Sequence, residues 1–152
     1  MRSLVKYYIY MNNKGFSLIE LLVTVAIIGI IAAIGINAYT GYIGAAKEKQ
    51  ATTGLSAIYL AQEEHRAMTG NYYRSRTNCT RANDDTATIN GTAGLFNGDN
   101  VLDGKNFSWC VAGNGTSTYQ AQAYNLSDTT TNYSIDQQNN KEKIVSGTST
   151  PW

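Results

Sequence analysis

The stretch Lys14-Gly15-Phe16-Ser17-Leu18-Ile19-Glu20, followed by LLVTVAIIGIIAAIGI from Leu21 to Ile36, decides how this chain is read. Between Glu20 and Lys47 lie 26 residues without a charge. As a helix, such a run rises about 39 Å, enough to cross a hydrocarbon core of roughly 30 Å. Arg2, Lys6 and Lys14 precede it with no acid before Glu20, a pattern that holds the N-terminus on the cytoplasmic side and sends the remainder outward. An ordinary signal peptide needs small residues behind the apolar core, and Ala38 and Gly41 answer that need only weakly. The carboxylate at the apolar threshold is more informative. A charged carboxylate within a bilayer costs about 2.5 to 3.5 kcal/mol on insertion scales, so it usually has a partner. Lys14 lies six residues back, off the helical spacings that bring side chains together. If the chain is cut after Gly15, Phe16 carries a free amine, a cation that Glu20 of a neighbouring, axially staggered copy neutralises.

The segment KGFSLIELLVTVAIIGIIAAIGINAY, Lys14 to Tyr39, resembles the class III signal of type IV prepilins and pseudopilins. It has the basic residue and glycine before the cut, the aromatic first mature residue, the glutamate four residues later and the long apolar helix. The resemblance covers residues 14 to about 70 closely and the rest by general layout. It implies cleavage between Gly15 and Phe16 by a prepilin peptidase and N-methylation of Phe16. It also implies storage in the inner membrane, and assembly through Glu20 and the apolar helix into a helical homopolymer, served by a pilus assembly platform and motor machinery. One departure stands out. Many family members carry proline where this chain has Asn37, and without it the usual helix kink loses its cause. Gly29, Gly35, Gly41 and Gly44 each lower helix propensity by roughly 1 kcal/mol relative to alanine, so unwinding around Gly29 to Gly35 is expected in an assembled filament.

After Lys47 the pattern becomes amphipathic, with Ala51, Leu55, Ile58, Ala61, His65 and Met68 forming one stripe that faces a core. Gly70 after Thr69 is a stop signal. His65, with no cysteine or carboxylate at ligand spacing, reads as a helix-face residue rather than a metal ligand. Residues 71–106 are loop-like, punctuated by Asn90-Gly91, Asn97-Gly98 and Asp103-Gly104. Four β-rich runs follow, at Phe107–Val111, Thr118–Ala123, Tyr133–Asp136 and Lys143–Val145, with short spacers that favour an antiparallel meander. Tyr119, Ala121 and Ala123 alternate onto one face, small enough to receive a helix. The expected fold is α+β and resembles the pilin fold, a long helix packed by its second half on an antiparallel sheet of about four strands. The expected divisions are a leader at 1–15, an apolar helix at 16–46, its amphipathic half at 47–70, a connecting loop at 71–106 and the sheet at 107–152.

The only cysteines are Cys79 and Cys110, and an exported domain meets an oxidising compartment, so they are expected to pair. The bridge closes a loop that stabilises the fold by roughly 3.5 to 4 kcal/mol on the chain-entropy model. Six Asn-x-Ser/Thr triplets, at Asn78, Asn90, Asn106, Asn114, Asn125 and Asn132, follow from a composition rich in Asn and Thr and argue only weakly for glycosylation.

The whole chain has twelve Lys and Arg against eleven Asp and Glu, a balance unlike that of a dedicated nucleic-acid binder. Without the three leader cations, nine basic residues face eleven acids, a side-chain balance of −2. One basic, aromatic cluster, Tyr72, Tyr73, Arg74 and Arg76 with Arg81, is a candidate contact for DNA, to be weighed against a solvated loop balanced by Asp84 and Asp85. Asn97 to Asp103 lacks the ligand pattern of a calcium loop. With no second histidine, metal-ligand cluster, phosphate loop or activated nucleophile, neither catalysis nor a cofactor is expected. The leading reading is the structural subunit of a type IV pilus, made in the inner membrane and assembled into a surface filament for adhesion, twitching motility or DNA uptake. The alternatives are a pseudopilin of a type II secretion system, or a minor pilin acting as adhesin or DNA receptor.

Overall fold

Ser17 opens the first helix: its Oγ accepts a hydrogen bond from the Glu20 backbone N–H at 3.3 Å, satisfying one of the donors that a helix start leaves free. Glu20 in the first turn adds a negative charge where the helix dipole favours it. The helix, α1, runs from Leu18 to Thr69. These features belong to a computed structural model that describes residues 15–152. The leader cations Arg2, Lys6 and Lys14, and residues 1–14 generally, lie outside the described residues.

The chain divides into two compact units, Met1–Tyr42 and Ile43–Trp152. In the described part of the first, α1 buries nothing within its own chain, and Leu18, Leu22, Ile28, Ile31 and Ile34 are all exposed. Its length and apolar composition suffice to cross a membrane.

In the second unit, α1 turns one row inward: Ala51, Gly54, Leu55, Ile58 and Gln62, at intervals close to the helical period, are all buried. The expected stripe therefore holds through Ile58 and then fails. Ala61 and His65 are only half-buried and Met68 is exposed, while Gln62 takes the core position. Hydrophobicity alone could not locate Gln62, because a buried amide is tolerated only when its hydrogen bonds are met. Its carboxamide meets them on the backbone of Tyr73, donating to the carbonyl and accepting from the N–H, each at 2.8 Å. Gly70 ends α1 with φ at 79° and its N–H on the Arg66 carbonyl, the left-handed stop that glycine supplies.

Five strands follow in a single antiparallel meander: β1 Phe107–Gly113, β2 Tyr119–Asn125, β3 Thr131–Asp136, β4 Lys141–Val145 and β5 Thr148–Pro151. The first four correspond to the expected runs. The fifth is an addition, since Thr-Ser-Thr-Pro has no apolar alternation and is exposed throughout. The connecting loop also contains a short helix, α2, at Thr86–Asn90. Its start is held by Asp84, whose carboxylate accepts from the Thr86 N–H at 3.0 Å.

Register places Trp109 opposite Ala123 and Val111 opposite Ala121, with Ile135 beyond Ala121 and Tyr133 beyond Ala123. Phe107, Trp109, Val111, Tyr119, Ala121, Ala123, Tyr133 and Ile135 are buried with Ala51, Leu55 and Ile58 in one core. The small residues of β2 sit between large ones on β1 and β3, so the sheet has a hollow for the helix. Gly54 lies directly on the Trp109 indole: a Cβ there would fall 2.2 Å from the ring. Polar clasps finish the join: Lys143 reaches Glu48 at 2.6 Å, Lys47 donates to Ser127 at 3.0 Å, and Gln50 bonds both Asp103 and Asn106.

Candidate assembly site

Gly15 and Phe16 precede the first turn of α1, and Phe16 is 78% exposed. Nothing crowds Gly15, where an added Cβ would meet no atom within 4 Å. The peptide between them is thus open to an enzyme, and Phe16 would begin the chain only four residues ahead of Glu20. The Glu20 carboxylate is exposed, and among the described residues no ion pair reaches it. The arrangement offers an acid and a latent amine at the head of an apolar helix, the acid unmet among the described residues. Those are the elements of a contact with another copy: two opposite charges that attract strongly once withdrawn from water, and apolar side chains from Leu18 to Ile36 that need lipid or protein around them.

The two cysteines form the expected disulfide, with Cα atoms 5.8 Å apart. Cys110 is fully buried in β1 and Cys79 lies in the connecting loop, so the bridge pins that loop to the sheet. Arg76 and Asp85 pin it again. The guanidinium approaches the carboxylate at 2.7 and 2.5 Å, and the Asp85 N–H reaches the Trp109 carbonyl at 2.8 Å. Burial raises the Asp85 pKa, but the Arg76 hydrogen bond, a Ser75 hydrogen bond and the Arg76 charge outweigh it and leave the carboxyl below its ordinary value. Arg81 is a third pin: it donates to the carbonyls of Asn125 and Thr131 at 2.8 and 3.2 Å and lies over the Tyr124 ring.

The candidate DNA cluster is therefore dispersed into internal work. Tyr72 is 3% exposed, its ring tilted against that of Tyr119, and is bonded to Arg66 and Glu63. Arg76 and Arg81 are engaged as described, and Arg74, though exposed, donates to the Gly113 carbonyl. His65 donates through Nδ1–H to the Asn71 carbonyl, 2.9 Å away. Among the described residues no group of three or more His, Cys, Asp or Glu is placed to hold a metal. Of the six triplet asparagines, Asn90 is consumed by the fold, its amide donating to the Leu102 carbonyl and accepting from the Leu102 N–H. The roles of Gln62 and Arg81 were missed in the sequence because each meets backbone groups distant along the chain, which no local pattern records.

Residues 10–36 match the family described as the prokaryotic N-terminal methylation motif. The chain is 49% identical over 52 residues to the type IV major pilin protein PilA of Myxococcus xanthus, covering 34% of this chain and 24% of that one. It is 31% identical over 111 residues to the type IV major pilin protein PilE1 of Neisseria gonorrhoeae, covering 73% of this chain and 45% of that one. A fimbrial protein of Pseudomonas aeruginosa is 48% identical over 51 residues, covering 34% and 33%. The matches thus span less than half the length of these relatives. No solved structure matches. With the processing motif, the apolar helix and the helix-on-sheet head together, the chain is similar to the type IV pilins.

Proposed function

We propose that this chain is the major structural subunit of a type IV pilus. It is cut between Gly15 and Phe16 by a prepilin peptidase, methylated on the Phe16 amine and held in the inner membrane by α1. The pilus assembly platform and its motor then draw it into a surface filament. The observation that carries the proposal is the head of α1, where an exposed apolar face begins beside the Glu20 carboxylate, neither of them met by a partner among the described residues. In the filament, Leu18 to Ile36 pack against their copies and Glu20 meets the Phe16 amine of a neighbour. The neutral amides and hydroxyls of the head suit a hydrated exterior, with adhesion, twitching motility or DNA uptake as the filament's uses. DNA contact through Tyr72, Tyr73, Arg74, Arg76 and Arg81 forms no part of the proposal, given the internal bonds of the Tyr72, Arg74, Arg76 and Arg81 side chains.

The test is to shear the source cells, pellet the filaments, and determine the intact mass and first residue of the main protein. The expected product is a chain of 137 residues, Phe16 to Trp152, methylated at its amine and lighter by the two hydrogens of one disulfide. A processed chain that stays with the cells instead would make it a type II pseudopilin or a minor pilin.

A further inference from the structure

The two ends of the sheet-bearing unit carry surfaces that match each other. At the end where Lys47 and Gln50 lie, the turn after β2 projects Leu126, 51% exposed, with its N–H bonded to the Asn106 carbonyl and hence beside exposed Lys105. Lys47 flanks the same turn, its ammonium on the neighbouring Ser127 hydroxyl at 3.0 Å. The acids nearby keep their charge and accept local bonds, Asp103 from Gln50 and from the Lys105 N–H, and Asp128 from Thr130 and Thr131. Leu126 projects beside exposed Lys105, with half-buried Lys47 on its other flank.

Farther along α1, at Glu64 to Met68, an open groove of about 570 Å³ runs between the helix and the connecting loop. Met68, 72% exposed, and half-buried Leu95 and Phe96 line it, with the exposed carboxylates of Glu64 and Asp99 at its border. His65 also borders it and is occupied with the Asn71 carbonyl. Arg66, the nearest cation on this stretch of helix, donates to the Tyr72 hydroxyl and lies over its ring.

We infer that the Leu126 turn of one copy seats in the Met68–Phe96 groove of the next, with Lys105 and Lys47 facing Glu64 and Asp99. Burial of Leu126 against Met68, Leu95 and Phe96 removes apolar surface from water at both partners, and opposite charges around it fix the orientation. The two surfaces are different, so the contact is head-to-tail. Such a contact leaves a free tip and a free groove at every stage and propagates without closing. With the paired helices parallel, tip and groove are some 16 residues apart along α1, which sets an axial step of roughly 25 Å between joined copies. This rests on the filament reading above and adds to it a specific contact between heads.

The experiment is disulfide trapping in filaments made by the full chain. Leu126→Cys and Met68→Cys are introduced singly and together, filaments are sheared and mildly oxidised, and the protein is run without reductant. Both positions are exposed, so the fold tolerates them. The inference expects a ladder of covalent dimers, trimers and longer species from the double variant alone, abolished by reductant. Filaments of normal yield with no ladder overturn it while leaving the filament reading intact. Wild-type cells that yield no filaments of this protein overturn both. Lys105→Glu and Glu64→Lys supply a second readout: each is expected to lower filament yield about fivefold, and the combined exchange to recover most of it. Equal yields from all three variants count against the pairing.

Discussion

A Cβ on residue 54 would stand 2.2 Å from Cη2 and 2.8 Å from Cζ3 of Trp109, so Gly54→Ala must push the indole off the sheet or lift α1. Alanine gains about 1 kcal/mol of helix propensity, yet overpacking of this kind costs about 1 to 3 kcal/mol. The expected result is a net loss of up to about 2 kcal/mol in denaturant unfolding of the detergent-solubilised protein. In the sequence Gly54 is only a poor helix former between Thr53 and Leu55; its meaning comes from a tryptophan 55 positions away. Carboxylates give a second expectation. Hydrogen bonds from the Thr131 and Thr130 hydroxyls and the Thr130 N–H bring Asp128 down from 3.8 to about 2, and Asp85 is lowered as well. A group whose pKa is lower folded than unfolded stabilises fully above its unfolded value and progressively less as pH falls through the folded one. Lys143 is shifted up, chiefly by its hydrogen bond to Glu48, so its contribution persists below its unfolded value of about 10.5 and fades as pH rises beyond it. Melting temperature measured against pH should therefore be flat near neutrality and fall between about pH 4 and pH 2. Asp85→Asn and Asp128→Asn should flatten that acid limb.

At the scale of elements, the Cys79–Cys110 bridge closes a separation of 31 residues, and its removal is expected to cost about 3.5 to 4 kcal/mol by the chain-entropy argument. Thermal unfolding of the detergent-solubilised chain with and without reductant, beside the Cys79→Ser and Cys110→Ser double variant, checks the value. The loop has other anchors in Arg76, Arg81 and Gln62, so the reduced protein should lose stability before it loses the sheet. Long elements were legible because their periods are long: α1 announced itself by an uncharged run followed by a stripe, and β2 by the alternation of Tyr119, Ala121 and Ala123. Short ones were not. Thr86–Asn90 spans barely more than one turn and owes its place to the Asp84 carboxylate on the Thr86 N–H and to buried Ile89, while Thr148–Pro151 is a strand only because β4 offers an edge to pair with. The end of the core stripe was misread for a related reason. Met68 has the spacing for burial, but nothing of the sheet lies opposite it.

For the molecule as a whole, the apolar half of α1 finds no partner among the described residues, and the uncharged run from Leu21 to Ala46 already implies as much. What the sequence could not supply was the state of the head, whose surface depends on contacts between residues far apart. Glu20→Ala and Gly15→Leu are expected to leave the chain in the membrane fraction with sheared filaments reduced at least about tenfold, the first for want of a charge to meet the Phe16 amine and the second for want of cleavage. Immunoblots of sheared and membrane fractions separate the two: Gly15→Leu should retain the leader and Glu20→Ala should lose it. Normal filaments from either would remove the basis for the charge-paired assembly.

The margins of the sheet bear on a different hazard. Along β1, Ser75 and Arg76 send both backbone N–H groups to the Val111 carbonyl, and the Ser75 hydroxyl takes the Val111 N–H. At the other margin, β5 is four residues long and ends in Pro151, which has no N–H to offer. In the proposed filament, where many copies would be crowded together, the strands need to refuse one another, because open edges invite the cross-strand stacking that leads to amyloid. One edge here is already occupied by the chain's own loop and the other is too short and blunt to extend, so crowding favours association through helices and turns over fusion of sheets.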